Sequence, residues 1–244
     1  MTARVALITG GAKGIGRAVA LDLGRQGWRV AVAYRSSTGA AAETVAAVER
    51  GGGRCLALAR DVSDPVVARQ LVADVEREWG RVDVLVNGAG PYHRVPLLEE
   101  SAEGWREMFD HNLHPVFYLA QAVAPGMRTR RWGRIVTFAM ANADQALAQP
   151  MVTAHYIAKV GVLVLTRTLA KLLAPDGITV NAISPGFIDS GSAPPDELAK
   201  MVKSIPAGYV GTVDDAVGAV RYLLSDDARY VNGANLVVSG GWGI

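Results

Sequence analysis

Between residues 9 and 16 the chain reads Thr-Gly-Gly-Ala-Lys-Gly-Ile-Gly, directly after the apolar run Val5–Ile8 and directly before a helix-length segment. Glycine lets a backbone turn tightly and approach a ligand closely, and a helix start offers free N–H groups to an anion. Gly10, Lys13, Gly14, Ile15 and Gly16 therefore have the chemistry of a pyrophosphate cradle. A plain strand-to-helix turn uses glycines in the same way, so the loop alone does not decide. Farther along, His155, Tyr156 and Lys159 place an imidazole, a phenol and an ammonium on one helix-length segment. Groups of these types can hold or move a proton.

Both sets need rigid elements to position them. Short apolar runs occur at Val5–Ile8, Val30–Ala33, Cys55–Ala59, Val82–Val86, Ile135–Phe138, Thr179–Ile183 and Leu236–Val238. They are nearly continuous rather than alternating, as strands covered on both faces should be. Between them lie Ile15–Gln26, Ala40–Arg50, Pro65–Trp79, Ser101–Ala124 and Thr153–Leu173, all of helical length. Ser63 is expected to cap the third of these, Gly27 to end the first, and Pro115 to bend or break the fourth. The alternation predicts an α/β fold: a single Rossmann-type doubly wound parallel sheet of about seven strands flanked by helices. Residues 1–244 are expected to form one domain, with 1–90 mainly binding cofactor and 91–244 holding the catalytic and substrate half. Residues 190–212 are the expected flap.

The glycine spacing, Gly-x-x-x-Gly-x-Gly, resembles that of the short-chain dehydrogenase/reductase family, and the likeness continues along nearly the whole chain. Asp61-Val62 looks like the family's adenine-contacting pair. Asn87-Gly88-Ala89-Gly90 resembles its Asn-Asn-Ala-Gly motif, with Gly88 in place of the second Asn. Asn112 matches the active-site asparagine and Lys159 the lysine, while Pro185-Gly186-Phe187-Ile188, followed by Ser190, matches the loop that grips the nicotinamide. The end of the chain, Asn232–Asn235 through Gly240-Gly241, also resembles the family, notably its 3-oxoacyl-ACP reductase-like members. The resemblance implies hydride transfer between a nicotinamide cofactor and a small carbonyl or alcohol. It also implies a homotetramer, through the apolar Val160–Leu165 stretch and the apolar C-terminal tail.

The identity of the nucleotide is an electrostatic matter. NAD-dependent proteins of this architecture place an acidic residue near the ribose 2′-hydroxyl. Here Tyr34-Arg35-Ser36-Ser37 carries no carboxylate. Arg35 can pair with a 2′-phosphate, the serines can donate to it, and Lys13 adds charge, so NADP(H) is expected.

The catalytic pattern departs from the family. A family tyrosine exchanges the proton, and a lysine four residues later binds the ribose; positions i and i+4 share a helix face. Four residues before Lys159 stands His155, whereas Tyr156, adjacent to it, should point elsewhere. The position of the family's serine falls on Met140, with Asn142 as the alternative occupant. Three readings follow. His155 stands in for tyrosine; or Tyr156, Tyr92 or His93 supplies the acid; or the protein binds NADP(H) with little turnover, as a sensor or assembly subunit.

Composition narrows the remaining classes. The 244 residues are half apolar and one-fifth charged, which excludes a disordered chain. A net charge of +2 gives no reason to expect nucleic acid or an acidic membrane as a partner. One cysteine, Cys55, allows no internal disulfide, and neither a spanning segment nor a signal peptide is legible, so a cytoplasmic protein is expected. His111 and His114 read as helix-surface or interface residues, Arg128–Arg134 as a solvated loop, and Trp242 as a packing anchor. No residue cluster has metal-ligand spacing.

Overall fold

The computed structural model describes residues 3–88, 90–191 and 195–244. Its strands are β1 (Val5–Thr9), β2 (Arg29–Tyr34), β3 (Arg54–Ala59), β4 (Val84–Asn87), β5 (Gly133–Phe138), β6 (Ile178–Pro185), the two-residue β7 (Ile188–Asp189) and β8 (Gly211–Thr212), and β9 (Asn235–Val238). The helices are α1 (Gly14–Arg25), α2 (Thr38–Arg50), α3 (Pro65–Trp79), α4 (Ala102–Asn112), α5 (His114–Arg130), α6 (Thr153–Leu173), α7 (Pro195–Val202) and α8 (Val213–Leu224). Seven strands form one parallel sheet in the order β3-β2-β1-β4-β5-β6-β9. All seven apolar runs became its strands.

The side-chain period of two divides each strand between two helical layers. Val5 and Leu7 of β1 join Leu71 of α3 and Leu119 of α5 in one core cluster. Ala6 and Ile8, on the other face, join Leu23 of α1 and Val217 of α8 in another. With both faces covered, every position of β1 is buried, Val5–Ile8 being apolar and Thr9 the polar end of the strand.

Two local breaks matter for the site. Pro115 has no N–H to donate and lies in the first turn of α5, so α4 ends at Asn112 and Leu113 joins the two helices, as expected. The cap of α3 differs from expectation. Pro65 begins that helix, so the capping position falls on Asp64, not Ser63, and the Asp64 carboxylate accepts from the N–H groups of Val66 and Val67. Gly27, with φ of +80°, follows the end of α1 as expected. The segment expected as a flap contains α7 and returns to pair Ile188 with Gly211; its residues 192–194 lie outside the described residues. Among the described residues, no helix is long and apolar enough to cross a membrane.

Candidate active site

The chain order reverses between β1 and β4, which opens a crevice at their C-terminal ends. The loop from Thr9 to Gly16 fills its rim. Gly10 and Gly14 have φ of +67° and +54°, and a Cβ on Gly16 would sit 2.5 Å from the Gly10 carbonyl oxygen, so the turn closes tightly only with glycine. Lys13 stands at the N-cap of α1, and its side chain makes no capping hydrogen bond to the first N–H groups of the helix. Two adjoining clefts share Gly10, Lys13 and Gly88. One, of about 340 Å³, is lined by Arg35, Ser36, Asp61 and Val62; the other, of about 720 Å³, by Gly14, Ile15, Gly16, Gly186, Ile188 and Ser190, with Pro185 beside them. Residues from five of the expected cofactor segments thus line the two clefts, whereas Asn87 and Lys159 line neither. Ala89 lies outside the described residues. Asn87 is buried, and both ends of its amide lack a hydrogen-bond partner among the described residues. A glycine cradle, an uncapped helix start and an unsatisfied buried amide fit a dinucleotide.

The first cleft also contains residues that the sequence did not single out for it. Arg60 lines it, anchored by its guanidinium to Asp74 at 2.7 Å. His111 lines it too, rather than lying on the helix surface: Arg35 Nη1 donates to its Nε2 at 2.8 Å, and Asp61 Oδ1 lies 3.6 Å from the same nitrogen. Burial would raise the Asp61 carboxyl, but hydrogen bonds from Ser63 are the leading effect that opposes it, and the group is held below the usual carboxylate range. His114 instead pairs with Asp110 at 2.9 Å. The arginine run is engaged internally, since Arg128 and Arg131 meet Asp176 while Arg130 meets Asp83.

Helix α6 carries His155 and Lys159 one turn apart, both buried, and neither is among the residues lining the two clefts. Lys159 Nζ donates to the Phe138 carbonyl at 2.9 Å, and burial pushes its ammonium down to about 8. Burial pushes the His155 imidazole down to about 3, reinforced by the Lys159 charge and, more weakly, by His93; the Pro91 backbone opposes the shift. His155 is therefore neutral near pH 7, and its Nδ1 is buried without a partner among the described residues. The Tyr92 ring meets it edge-on, with centroids 5.1 Å apart. Asn112 is buried at the end of α4 and donates to the Pro91 carbonyl at 3.1 Å. Tyr156 turns away, as the helix geometry required: its hydroxyl donates to the Asn142 carbonyl at 2.7 Å and accepts from the Leu147 N–H at 2.9 Å. Met140 packs, partly buried, against the cluster of Val116, Tyr156 and Leu163.

A family model described as enoyl-(acyl carrier protein) reductase matches residues 10–243. The 3-oxoacyl-[acyl-carrier-protein] reductase FabG of Staphylococcus epidermidis is 37% identical over 245 residues, covering 97% of each chain. That of Escherichia coli K12 is 35% identical over 246 residues, covering 98% of this chain and 96% of the relative. The chain belongs to the short-chain dehydrogenase/reductase family. A solved structure from Sinorhizobium meliloti 1021, described as a short-chain alcohol dehydrogenase, superposes with a TM-score of 0.91 at 32% identity, covering 99% of this chain and 97% of the other. One from Agrobacterium tumefaciens, described as a gluconate dehydrogenase, gives 0.91 at 31%, with coverages of 98% and 96%.

This short-chain oxidoreductase holds its Pro185–Ile188 loop with an aromatic contact, Phe187 on Trp242 at 4.7 Å between centroids. Trp242 thus anchors the chain end against the Pro185–Ile188 segment. His93, next to Tyr92 in the chain, has its Nε2 2.8 Å from a Glu100 carboxylate oxygen.

Proposed function

We propose that this protein is an NADP(H)-dependent reductase of a small carbonyl compound with an atypical active site, in which His155 takes the place of the family's tyrosine. The observation that carries the reading is a buried neutral imidazole with an unpartnered Nδ1, one helical turn from Lys159. When bound, the nicotinamide supplies or accepts the hydride. The chain's own residues then have distinct tasks. Gly10, Lys13, Gly14, Ile15 and Gly16 hold the pyrophosphate; Arg35 and Ser36 hold the 2′-phosphate; Asp61 and Val62 flank the adenine. Gly88 lines the middle of the site, and Pro185, Gly186, Ile188 and Ser190 close over the nicotinamide side; Asn87 adjoins Gly88 in the chain, and Ala89 lies outside the described residues.

Lys159 has three N–H donors, of which one goes to Phe138, leaving two for the nicotinamide ribose. His155 has a single N–H, which leaves the Pro91 backbone and donates instead to the substrate oxygen, orienting the carbonyl and stabilising negative charge as it develops. Asn112 holds the Pro91 backbone that borders His155. Tyr156, both of whose hydroxyl contacts are made within the chain, acts on the site through the loop of Asn142 rather than as the acid. Substrates of the relatives' class, acyl chains on a carrier protein, fit a carbonyl reductase.

A second reading is favoured by Met140 and by the imidazole itself. Met140 offers no hydrogen-bond donor to an oxyanion, and a neutral histidine is a poor proton source. On this reading the protein binds NADP(H) with little or no turnover and serves as a sensor or assembly subunit. An NADPH-oxidation screen over ketones, quinones, pterins and acyl thioesters separates the two, with His155→Phe as control. Turnover that falls at least about tenfold in the variant supports the reductase; no turnover on any class supports the second reading.

We further propose a cytoplasmic homotetramer built from a single domain. Exposed Phe117 on α5, and Ile157 and Val164 on α6, offer apolar surface for a neighbouring subunit, as does Ile244 at the chain end. Light scattering at micromolar concentration tests it, and a monomeric mass overturns it.

A further inference from the structure

Arginine has donors only, so the 2.8 Å contact between Arg35 Nη1 and His111 Nε2 requires that nitrogen to be an acceptor. The ring proton must then lie on Nδ1, which is 3.1 Å from the Glu107 carbonyl and donates to it. Two independent contacts thus assign one state: His111 is neutral while it holds Arg35 over the cleft. The charged groups around it are Arg35 at the end of β2, Asp61 beyond β3, and Glu107 on its own helix, 3.9 Å from Arg35. Lys13 and Arg60 line the same cleft.

We propose that His111 is a second ligand of the cofactor's 2′-phosphate and takes up a proton when that phosphate binds. The inference rests on the NADP(H) reading above and adds to it a residue and a proton. A phosphomonoester dianion is all acceptor, so it draws the Arg35 Nη1 donor to itself. His111 Nε2 then faces an anion with a bare lone pair, which is repulsive. Protonation turns Nε2 into a donor toward the phosphate, and Asp61, 3.6 Å away, supports the imidazolium. The proton comes from solvent and the ring gains one positive charge. A ribose 2′-hydroxyl can donate to the neutral Nε2 instead, so NAD(H) requires no proton. His111 therefore reads a phosphate against a hydroxyl by changing its own charge.

Isothermal titration of the full chain with adenosine 2′,5′-bisphosphate and with adenosine 5′-monophosphate, in buffers of different ionisation enthalpy, tests this without catalysis. At about pH 7.5 the wild type should take up a measurable fraction of a proton with the bisphosphate and none with the monophosphate. The coupling should vanish in His111→Gln, whose amide can still accept from Arg35 and donate to phosphate but cannot titrate. Where uptake approaches one proton, bisphosphate affinity in wild type should gain up to about tenfold per pH unit of acidification relative to the variant. If wild type binds the two nucleotides equally, the NADP(H) reading falls and this inference with it. If wild type prefers the bisphosphate without proton uptake, or His111→Gln takes up as much as wild type, only the His111 inference is overturned.

Discussion

The Tyr156 hydroxyl donates to the Asn142 carbonyl at 2.7 Å while accepting from the Leu147 N–H, so this one oxygen ties α6 to the loop after β5. Asn142 sits in a left-handed conformation, with φ of 64°, which asparagine tolerates but does not prefer. Removing the hydroxyl leaves a buried carbonyl without its donor. Tyr156→Phe should therefore lose about 1–3 kcal/mol of stability in urea melts while NADPH affinity stays unchanged. Wild-type stability together with abolished turnover would instead make Tyr156 the acid.

His155 should set part of the protein's acid sensitivity. Unfolded, its imidazole binds a proton near pH 6.5; folded, burial and Lys159 delay that to about 3. Between those values the unfolded chain holds more protons, so this group's contribution is a stability that rises with pH and is lost as pH falls from about 6.5 toward 3. His155→Phe removes the titration. Its stability loss on acidification from about pH 7 to about pH 4.5 should be smaller than that of wild type by on the order of 1–3 kcal/mol. Parallel stability curves for the two proteins would show that the imidazole is not buried neutral.

Arg35 should decide the nucleotide. Arg35→Ala removes a charge-assisted pairing, and NADPH binding should weaken by about 1.5–3 kcal/mol while NADH binding changes little. Fluorescence titration with both cofactors measures this, and equal losses for the two would refute the assignment.

Cys55 should be inert in the folded state. Burial, and after it the Glu49 charge, pushes its thiol up to about 12, against a smaller opposing effect of the Leu56 backbone. The thiolate is the reactive form, so a maleimide or disulfide reagent at neutral pH should label Cys55 only after unfolding. Rapid labelling of the native protein would contradict the raised thiol.

The sheet was legible in the chain because its strands are apolar at nearly every position, which only a doubly covered parallel sheet satisfies. The glycine loop was legible because its backbone conformations exclude other residues, and the α4–α5 break because Pro115 cannot donate. Even the cap of α3 was a local matter: a proline in the first helical position puts the cap on Asp64, immediately before it.

What the chain could not reveal depends on surroundings supplied from far away. His111 faces the cleft lined by Arg35 and Asp61 rather than solvent because α4 is rolled so that Asn112 reaches Pro91, while Arg35 and Asp61 arrive from the ends of β2 and β3. His155 and Tyr156 are neighbours in sequence, yet the helix turns them about 100° apart. One is left beside Tyr92 and Pro91 with a buried, unpartnered nitrogen, while the other bonds the Asn142 loop. Spacing alone put His155 on the Lys159 face of α6; its neutrality comes from desolvation and from charges that only the packed structure brings near.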